Sequence, residues 1–103
     1  MQNVNLETFI IKNPETVYSR LDDGQTMVLE LGRKRYYYLN ESALFLYRCL
    51  EETKGMSVGA LVDAMMAEYE VTLEEARSDV CGVIEEMLQR ELVQVGKPSH
   101  RET

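Results

Sequence analysis

Side chains able to do acid–base, nucleophilic or metal chemistry are scattered through this sequence rather than grouped. The one histidine, His100, lies in a polar C-terminal stretch. The two cysteines, Cys49 and Cys81, fall in predicted helices without the spacing of metal ligands. The sequence has no glycine-rich phosphate loop and no paired nucleophile and general base. It therefore predicts a binding module that holds no cofactor, rather than an enzyme.

Charge is unevenly distributed along the 103 residues, whose net charge is −7. Residues 1–56 carry eight acids and seven bases, whereas residues 57–91 carry nine acids and two arginines. An acidic half of this kind repels nucleic acid and anionic membranes. No apolar run approaches the roughly 20 residues of a membrane span, and the sequence does not begin with a signal-like segment. We therefore expect a cytoplasmic protein that contacts neither a membrane nor nucleic acid.

The elements that must position a binding surface centre on residues 26–50. Residues 26–31 alternate in the way that is typical of a half-buried strand. One face carries Met27, Leu29 and Leu31, and the other carries Val28 and Glu30. Residues 17–21 and 35–39 predict two more strands, and Asp23-Gly24 predicts a tight turn between the first two. Together they predict an antiparallel meander whose third strand lies at an edge.

Three helices are predicted, over residues 41–52, 58–70 and 73–91. Each begins after a residue that can cap free backbone amides: Asn40, Ser57 and Thr72. Thr72 and Glu75 together form a capping box. The first helix is apolar on nearly every face, so it is predicted to be the interior one.

The third helix has an apolar band that is wider than one contact surface requires. Its predicted core stripe consists of Leu73, Ala76, Val80, Val83 and Met87. Beside it lies a second stripe, which consists of Arg77, Cys81, Ile84 and Leu88. The second stripe is either further core or a surface that faces a partner.

These elements predict an α+β domain of winged-helix-like architecture, with a three-stranded antiparallel sheet followed by three helices. Residues 9–11 are either an extra strand or an apolar strap, and residues 92–95 predict a short closing strand. A winged-helix domain often binds DNA through its third helix. An exposed edge strand can instead pair with an added peptide strand. The acidic third helix favours the peptide.

The sequence resembles the PqqD family over roughly residues 12–95. The resemblance lies in the Val-Tyr-x-Arg-x-Asp-Asp-Gly hairpin, a strand that ends in Leu39-Asn40, Ser42-Ala43 at the start of an apolar helix, a glycine before the second helix, and a long third helix that ends near Leu92-Val93. Members of this family recognise ribosomally made, post-translationally modified peptides. The resemblance implies a small non-catalytic chaperone that binds the leader of a precursor peptide and presents it to a modifying enzyme.

The resemblance also implies where the leader binds. It adds as a strand beside the third strand, in the cleft between that strand and the third helix. By position, the leader-binding residues are Lys34, Arg35, Tyr36, Tyr37, Tyr38, Arg77, Cys81, Ile84 and Leu88. Strand alternation places Arg35 and Tyr37 towards the helices, and Tyr36 and Tyr38 on the opposite face. The implied partners are the precursor leader peptide and either a radical SAM peptide-modifying enzyme or a leader peptidase.

We divide the chain into an N-terminal extension (1–11), a leader-recognition domain (12–95) and a disordered tail (96–103). Two other functions fit the same elements. One is a winged-helix transcription regulator that binds DNA. The other is a structural subunit of a larger enzyme, in which the partner would cover the edge strand.

The charge of the third helix provides a test of the DNA-binding alternative. Residues 73–91 carry six acids and two arginines, so we expect no salt-sensitive binding to duplex DNA at low ionic strength. A gel mobility assay over a salt series measures this. A micromolar complex that weakens steeply as salt is added would contradict the peptide-binding interpretation.

Overall fold

A computed structural model of the chain describes residues 4–97. Its elements are β1 (Phe9–Lys12), β2 (Thr16–Arg20), β3 (Thr26–Glu30), β4 (Arg35–Tyr38), α1 (Glu41–Thr53), β5 (Met56–Ser57), α2 (Val58–Glu68), α3 (Leu73–Gln89) and β6 (Val93–Val95). The predicted meander, helices and closing strand are all present. None of the helices within residues 4–97 has the length and hydropathy needed to span a membrane.

The strands form two separate three-stranded sheets. β2, β3 and β4 pair antiparallel in chain order, with Val28 opposite both Tyr18 and Tyr37. In the second sheet, β1 lies between β5 and β6. The predicted α+β class, with a three-stranded meander and three helices, is confirmed. The second sheet is missing from the prediction because β5 has only two residues and has no sequence pattern of its own.

The N-terminal segment takes part in the fold. Residues 9–11, predicted as a strand or a strap, lie in a strand, and Ile10 is fully buried. Ahead of this strand, the carbonyl of Leu6 accepts a 2.9 Å hydrogen bond from the amide of Gly59. β1 therefore crosses the boundary predicted after residue 11. The division into extension, recognition domain and tail stays a prediction, and residues 98–103, with His100, lie outside the described residues.

The helix starts follow the predicted capping pattern. The side chains of Asn40 and Ser57 accept hydrogen bonds from the amides three residues later, at 2.9 and 3.1 Å. Thr72 and Glu75 bond reciprocally, at 3.1 and 2.9 Å. Each cap satisfies amides that the helix itself leaves without partners, and is worth about 1 kcal/mol.

The first helix is the centre of the core, as predicted. Leu46, Tyr47 and Leu50 on α1 are buried, and the Tyr47 ring contacts Tyr18 edge-to-face. The Tyr47 hydroxyl lies 2.8 Å from the Thr16 hydroxyl, which itself donates to the carbonyl of Asn13 at 2.7 Å. Tyr47 is therefore the donor to Thr16. Burial raises the pKa of Tyr47 to about 12.

Asn13 lies between β1 and β2 and is hydrogen-bonded to the segment that follows α3. Its side-chain amide donates to the carbonyl of Glu91 at 2.7 Å, and its backbone amide donates to the carbonyl of Leu92 at 3.1 Å. Its side-chain oxygen accepts from the amide of Glu15 at 2.9 Å. These bonds fix where α3 ends relative to the meander.

The buried face of β3 is the less apolar of its two faces. Thr26, Val28 and Glu30 are buried, whereas the apolar residues Met27 and Leu29 are only half-buried. The carboxylate of Glu30 is accommodated because it accepts hydrogen bonds from two amides of the following turn, at 2.9 and 3.1 Å. The apolar face of the strand is left pointing away from the core.

The buried Tyr47 hydroxyl provides a test of this core. Tyr47→Phe removes one buried hydrogen bond, so we expect its free energy of unfolding to fall by about 1 kcal/mol at pH 7 in urea denaturation. The wild type should also lose stability as the pH rises from about 10 to 12. The unfolded state deprotonates Tyr47 near pH 10 and the folded state only near 12.

The loss at high pH corresponds to roughly 1.4 kcal/mol for each pH unit between the two pKa values. Tyr47→Phe is the control, because it keeps the ring and lacks the titrating group. Its stability should fall less over the same pH range. An equal decline in the two proteins would show that Tyr47 is not the group responsible.

Candidate functional site

The open backbone edge of β4 is the first feature of the site. Among residues 4–97, β4 pairs with β3 alone. The amide of Leu39 donates to the carbonyl of Thr26 at 3.2 Å, so Tyr37, two residues earlier, also directs its backbone groups to β3. The amides and carbonyls of Tyr36 and Tyr38 therefore point towards the open edge. A strand placed beside β4 can exchange hydrogen bonds with these two residues.

The tyrosine side chains of β4 alternate as predicted. Tyr37 packs against the core, whereas Tyr36 and Tyr38 are 59% and 56% exposed. The rings of Tyr36 and Tyr38 contact each other edge-to-face, with centroids 6.3 Å apart. Arg35 is exposed as well, although alternation places it on the same side as Tyr37.

A hollow lies between the end of β4 and α3. It is lined by Tyr38, Leu39, Asn40 and Ala43 on one side and by Val83, Glu86, Met87, Arg90 and Leu92 on the other. Val83 and Met87 give its α3 wall an apolar part, and Glu86 and Arg90 give it a charged part. A side chain projecting from a strand on the β4 edge can reach both.

Arg90 supplies the positive charge in the hollow. Its guanidinium lies 5.2 Å from the centroid of the Tyr37 ring and 2.8 Å from the carboxylate of Glu86. The side chains of Arg90 and Glu86 are about half exposed, so the pair is worth less than about 1 kcal/mol and exchanges readily with other partners. A carboxylate entering the hollow therefore competes with Glu86 for Arg90.

The turn between β3 and β4 closes one end of the site. Arg33 in this turn forms an ion pair with Glu91, directly after α3. Lys34 adopts a left-handed conformation, with φ of 59°, which lets the chain reverse direction in a tight turn. The turn therefore places Lys34 and Arg35, both exposed, at the start of the open edge.

The predicted stripe of α3 does not line this hollow. Ile84 is fully buried in the core, and Leu88 is partly buried against it. Arg77 and Cys81 line a different hollow, together with residues 4–7. The buried face of α3 is rotated from the predicted core stripe, and contact of a leader with Arg77, Cys81, Ile84 and Leu88 stays a prediction.

The rotation exchanges two residues between the predicted stripes. The buried residues of α3 are Ala76, Val80, Ile84 and Met87, so Ile84 replaces Val83 in the core. Val83, predicted as core, lines the hollow beside β4. Leu73, also predicted as core, is 51% exposed. The sequence has no signal for this choice, because Val83 and Ile84 are both β-branched and apolar.

The site is built on a backbone edge and a hollow. Within residues 4–97, no cluster of three or more histidine, cysteine, aspartate or glutamate side chains is placed to hold a metal. Burial raises the pKa of the Cys49 thiol, with Glu52 and Glu68 adding to the effect, so this thiol is less reactive than usual. The open edge and the hollow together accommodate an extended peptide.

Comparison with known proteins supports this assignment of the fold. A model of the family described as Coenzyme PQQ synthesis protein D (PqqD) matches residues 25–93, which include β3, β4 and all three helices. None of the curated proteins compared with the chain matches it.

Two solved structures share the fold. "TbiB1 in Complex with the TbiA(beta) Leader Peptide" is 23% identical to this chain, with a TM-score of 0.71, and the match covers 85% of this chain and 99% of that one. "Lasso peptide synthetase B1 complexed with the leader peptide" is 20% identical, with a TM-score of 0.68, and the match covers 82% and 96%. Both likenesses extend over nearly the whole of the other chain.

Proposed function

Since the chain belongs to the PqqD family, we propose that it is a recognition protein that binds the leader of a ribosomally made precursor peptide. The leader adds as a strand along β4, beside α3. The observation that carries this proposal is the open edge at Tyr36 and Tyr38 next to a hollow that can take a side chain. The two solved structures named above support it, because both are complexes with leader peptides.

Main-chain bonds account for the affinity in this proposal. Tyr36 and Tyr38 offer two amides and two carbonyls to an added strand. Each bond contributes roughly 0.5–1.5 kcal/mol net, because water already solvates these groups in the free protein. Such bonds do not depend on the leader's side chains, so they cannot by themselves choose one peptide from another.

Side chains of the leader supply the specificity. Every second side chain of an added strand points towards α3, where Val83 and Met87 offer apolar contact. An acidic leader residue can pair with Arg90, and a second can pair with Arg35 at the start of the edge. In this proposal Arg90, rather than the predicted Arg77, is the arginine that lies across the cleft from β4.

The proposed partners are the precursor leader peptide and the enzyme that modifies or cleaves the precursor. A radical SAM peptide-modifying enzyme and a leader peptidase both fit this role. The protein itself contributes binding and presentation and takes no part in the chemistry. The DNA-binding alternative has no support, because α3 carries its acids at both ends and in the middle, at Glu74, Asp79 and Glu86.

The open edge is tested by removing one amide. Tyr36→Pro lacks the amide that points outward and leaves the bonds between β3 and β4 in place, since Tyr36 directs no backbone group to β3. We expect it to weaken binding of a synthetic leader peptide at least tenfold more than Tyr36→Ala does. Calorimetry with the leader of a precursor encoded beside this chain measures the difference.

Tyr36→Ala is the matched control, because it loses the same ring and keeps the amide. Amide exchange provides a second measurement: leader binding should protect the amides of Tyr36 and Tyr38, whereas Tyr37, already bonded to β3, should change little. Equal affinities of the two variants, or protection located elsewhere, would show that the leader does not add to β4.

The side of α3 that meets the leader is tested by a pair of arginine substitutions. Val83→Arg fills the hollow beside β4 and should weaken leader binding at least tenfold. Cys81→Arg lies on the predicted stripe, which faces residues 4–7, and should leave binding within about twofold. Circular dichroism confirms that both fold. If Cys81→Arg weakens binding and Val83→Arg does not, the leader binds beside Arg77 and Cys81 instead.

A further inference from the structure

The meander has an outer face that no part of residues 4–97 covers. Its strand positions are Val17, Ser19, Met27, Leu29, Tyr36 and Tyr38, and Leu31 continues the same side. We call this surface the outer sheet face. An antiparallel sheet that is covered on one side normally carries polar residues on the other. Here Val17 is 51% exposed, Leu31 48%, and the two tyrosines more.

The outer sheet face carries no charged residue. Proteins usually protect an exposed sheet with lysine or other charges, which discourage association. Three strands about 4.8 Å apart and about five residues long give a face of roughly 14 by 17 Å. Because the side chains project from the sheet, the exposed apolar area exceeds this flat area and is on the order of 400 Å², within the range of about 300–600 Å² for the largest patch of a monomer, which is often an interaction site.

We propose that the outer sheet face binds a second copy of this chain, so that two meanders pack face to face. Charge favours this occupant. The protein carries a net −7, which opposes self-association through the helices, where residues 57–91 hold nine acids and two bases. Residues 15–39, which form the meander, carry four acids and four bases and are neutral. The neutral face is therefore the one through which two copies can approach.

The turns at the two ends of the meander determine the orientation. The turn between β2 and β3 contains Asp22 and Asp23, and the turn between β3 and β4 contains Arg33 and Lys34. These turns lie at opposite ends of β3. In a twofold pair whose strands run antiparallel across the interface, each acidic turn meets the partner's basic turn. The parallel arrangement would place like charges together.

The size of the face makes this a weak dimer. Two faces bury on the order of 800 Å², below the roughly 1,200 Å² at which stable interfaces begin. We expect a dissociation constant on the order of 100 µM, in the range of transient complexes. The backbone edge of β4 lies at the side of this face, so the pairing leaves the open edge free for a strand. The inference is therefore independent of leader binding.

Analytical ultracentrifugation of the full chain, with no peptide present, tests the proposal. Between about 10 µM and 1 mM, the mean mass should rise from 11.9 kDa towards twice that value. Val17→Lys should weaken the association at least fivefold. Leu73→Lys is the matched control, because Leu73 on α3 is also 51% exposed and the substitution changes the net charge equally. It should leave the association within twofold.

A charge exchange tests the orientation. Asp22→Lys cancels the charge of the turn that holds Asp22 and Asp23, and Lys34→Glu cancels that of the turn that holds Arg33 and Lys34, so each variant alone should associate at least threefold more weakly than the wild type. An equal mixture of the two should associate more strongly than either variant alone, because the intact acidic turn of one chain meets the intact basic turn of the other at one end. A chain that stays monomeric to 1 mM, or that responds equally to Val17→Lys and Leu73→Lys, overturns the proposal, and a different protein is then the occupant of the face.

Discussion

The hydrogen-bonded chain from Tyr47 through Thr16 to Asn13 connects the parts of this protein on which the site depends. Tyr47 projects from the central helix, Thr16 begins the meander, and Asn13 binds the carbonyls at the end of α3. Each group is buried, so breaking one bond leaves a polar group without a partner, at a cost of about 1–3 kcal/mol. α1, the meander and α3 are thereby held in one arrangement. These bonds position the end of α3 relative to the meander that contains β4.

Two different surfaces of the meander are left uncovered by residues 4–97. The edge of β4 presents backbone groups, which bind any extended chain, and the outer sheet face presents uncharged side chains, which require a complementary surface. Their directions are perpendicular, so one partner does not block the other. Most small domains protect both kinds of surface. Retaining both is consistent with a protein whose role is to bring other chains together.

The two halves of the chain differ in net charge. The net negative charge lies in residues 57–91, where nine acids are matched by only two bases, and a surface of this charge repels other acidic surfaces. Three bases of the first half, Arg33, Lys34 and Arg35, lie in or next to the turn before β4, and Arg90 after α3 packs on the Tyr37 ring of that strand. The start of the β4 edge is therefore locally positive, although the protein as a whole is negatively charged. In the proposed complex, this local charge orients a strand whose backbone bonds alone allow several registers.

The sequence by itself determined the order of the elements, their caps, the meander and the family. These follow from local chemistry: Asn40, Ser57 and Thr72 cap the amides that follow them, and the period of apolar residues distinguishes strands from helices. The strand and turn pattern also placed the third strand of the meander, β4, at an edge. Only the tertiary structure decided which faces are buried. Val83 and Ile84 are chemically alike, so packing against the rest of the core, rather than residue type, put Ile84 inside and Val83 beside β4. β3 buries Val28 and the carboxylate of Glu30 and leaves its apolar face outward, because the turn after it supplies the amides that the carboxylate needs.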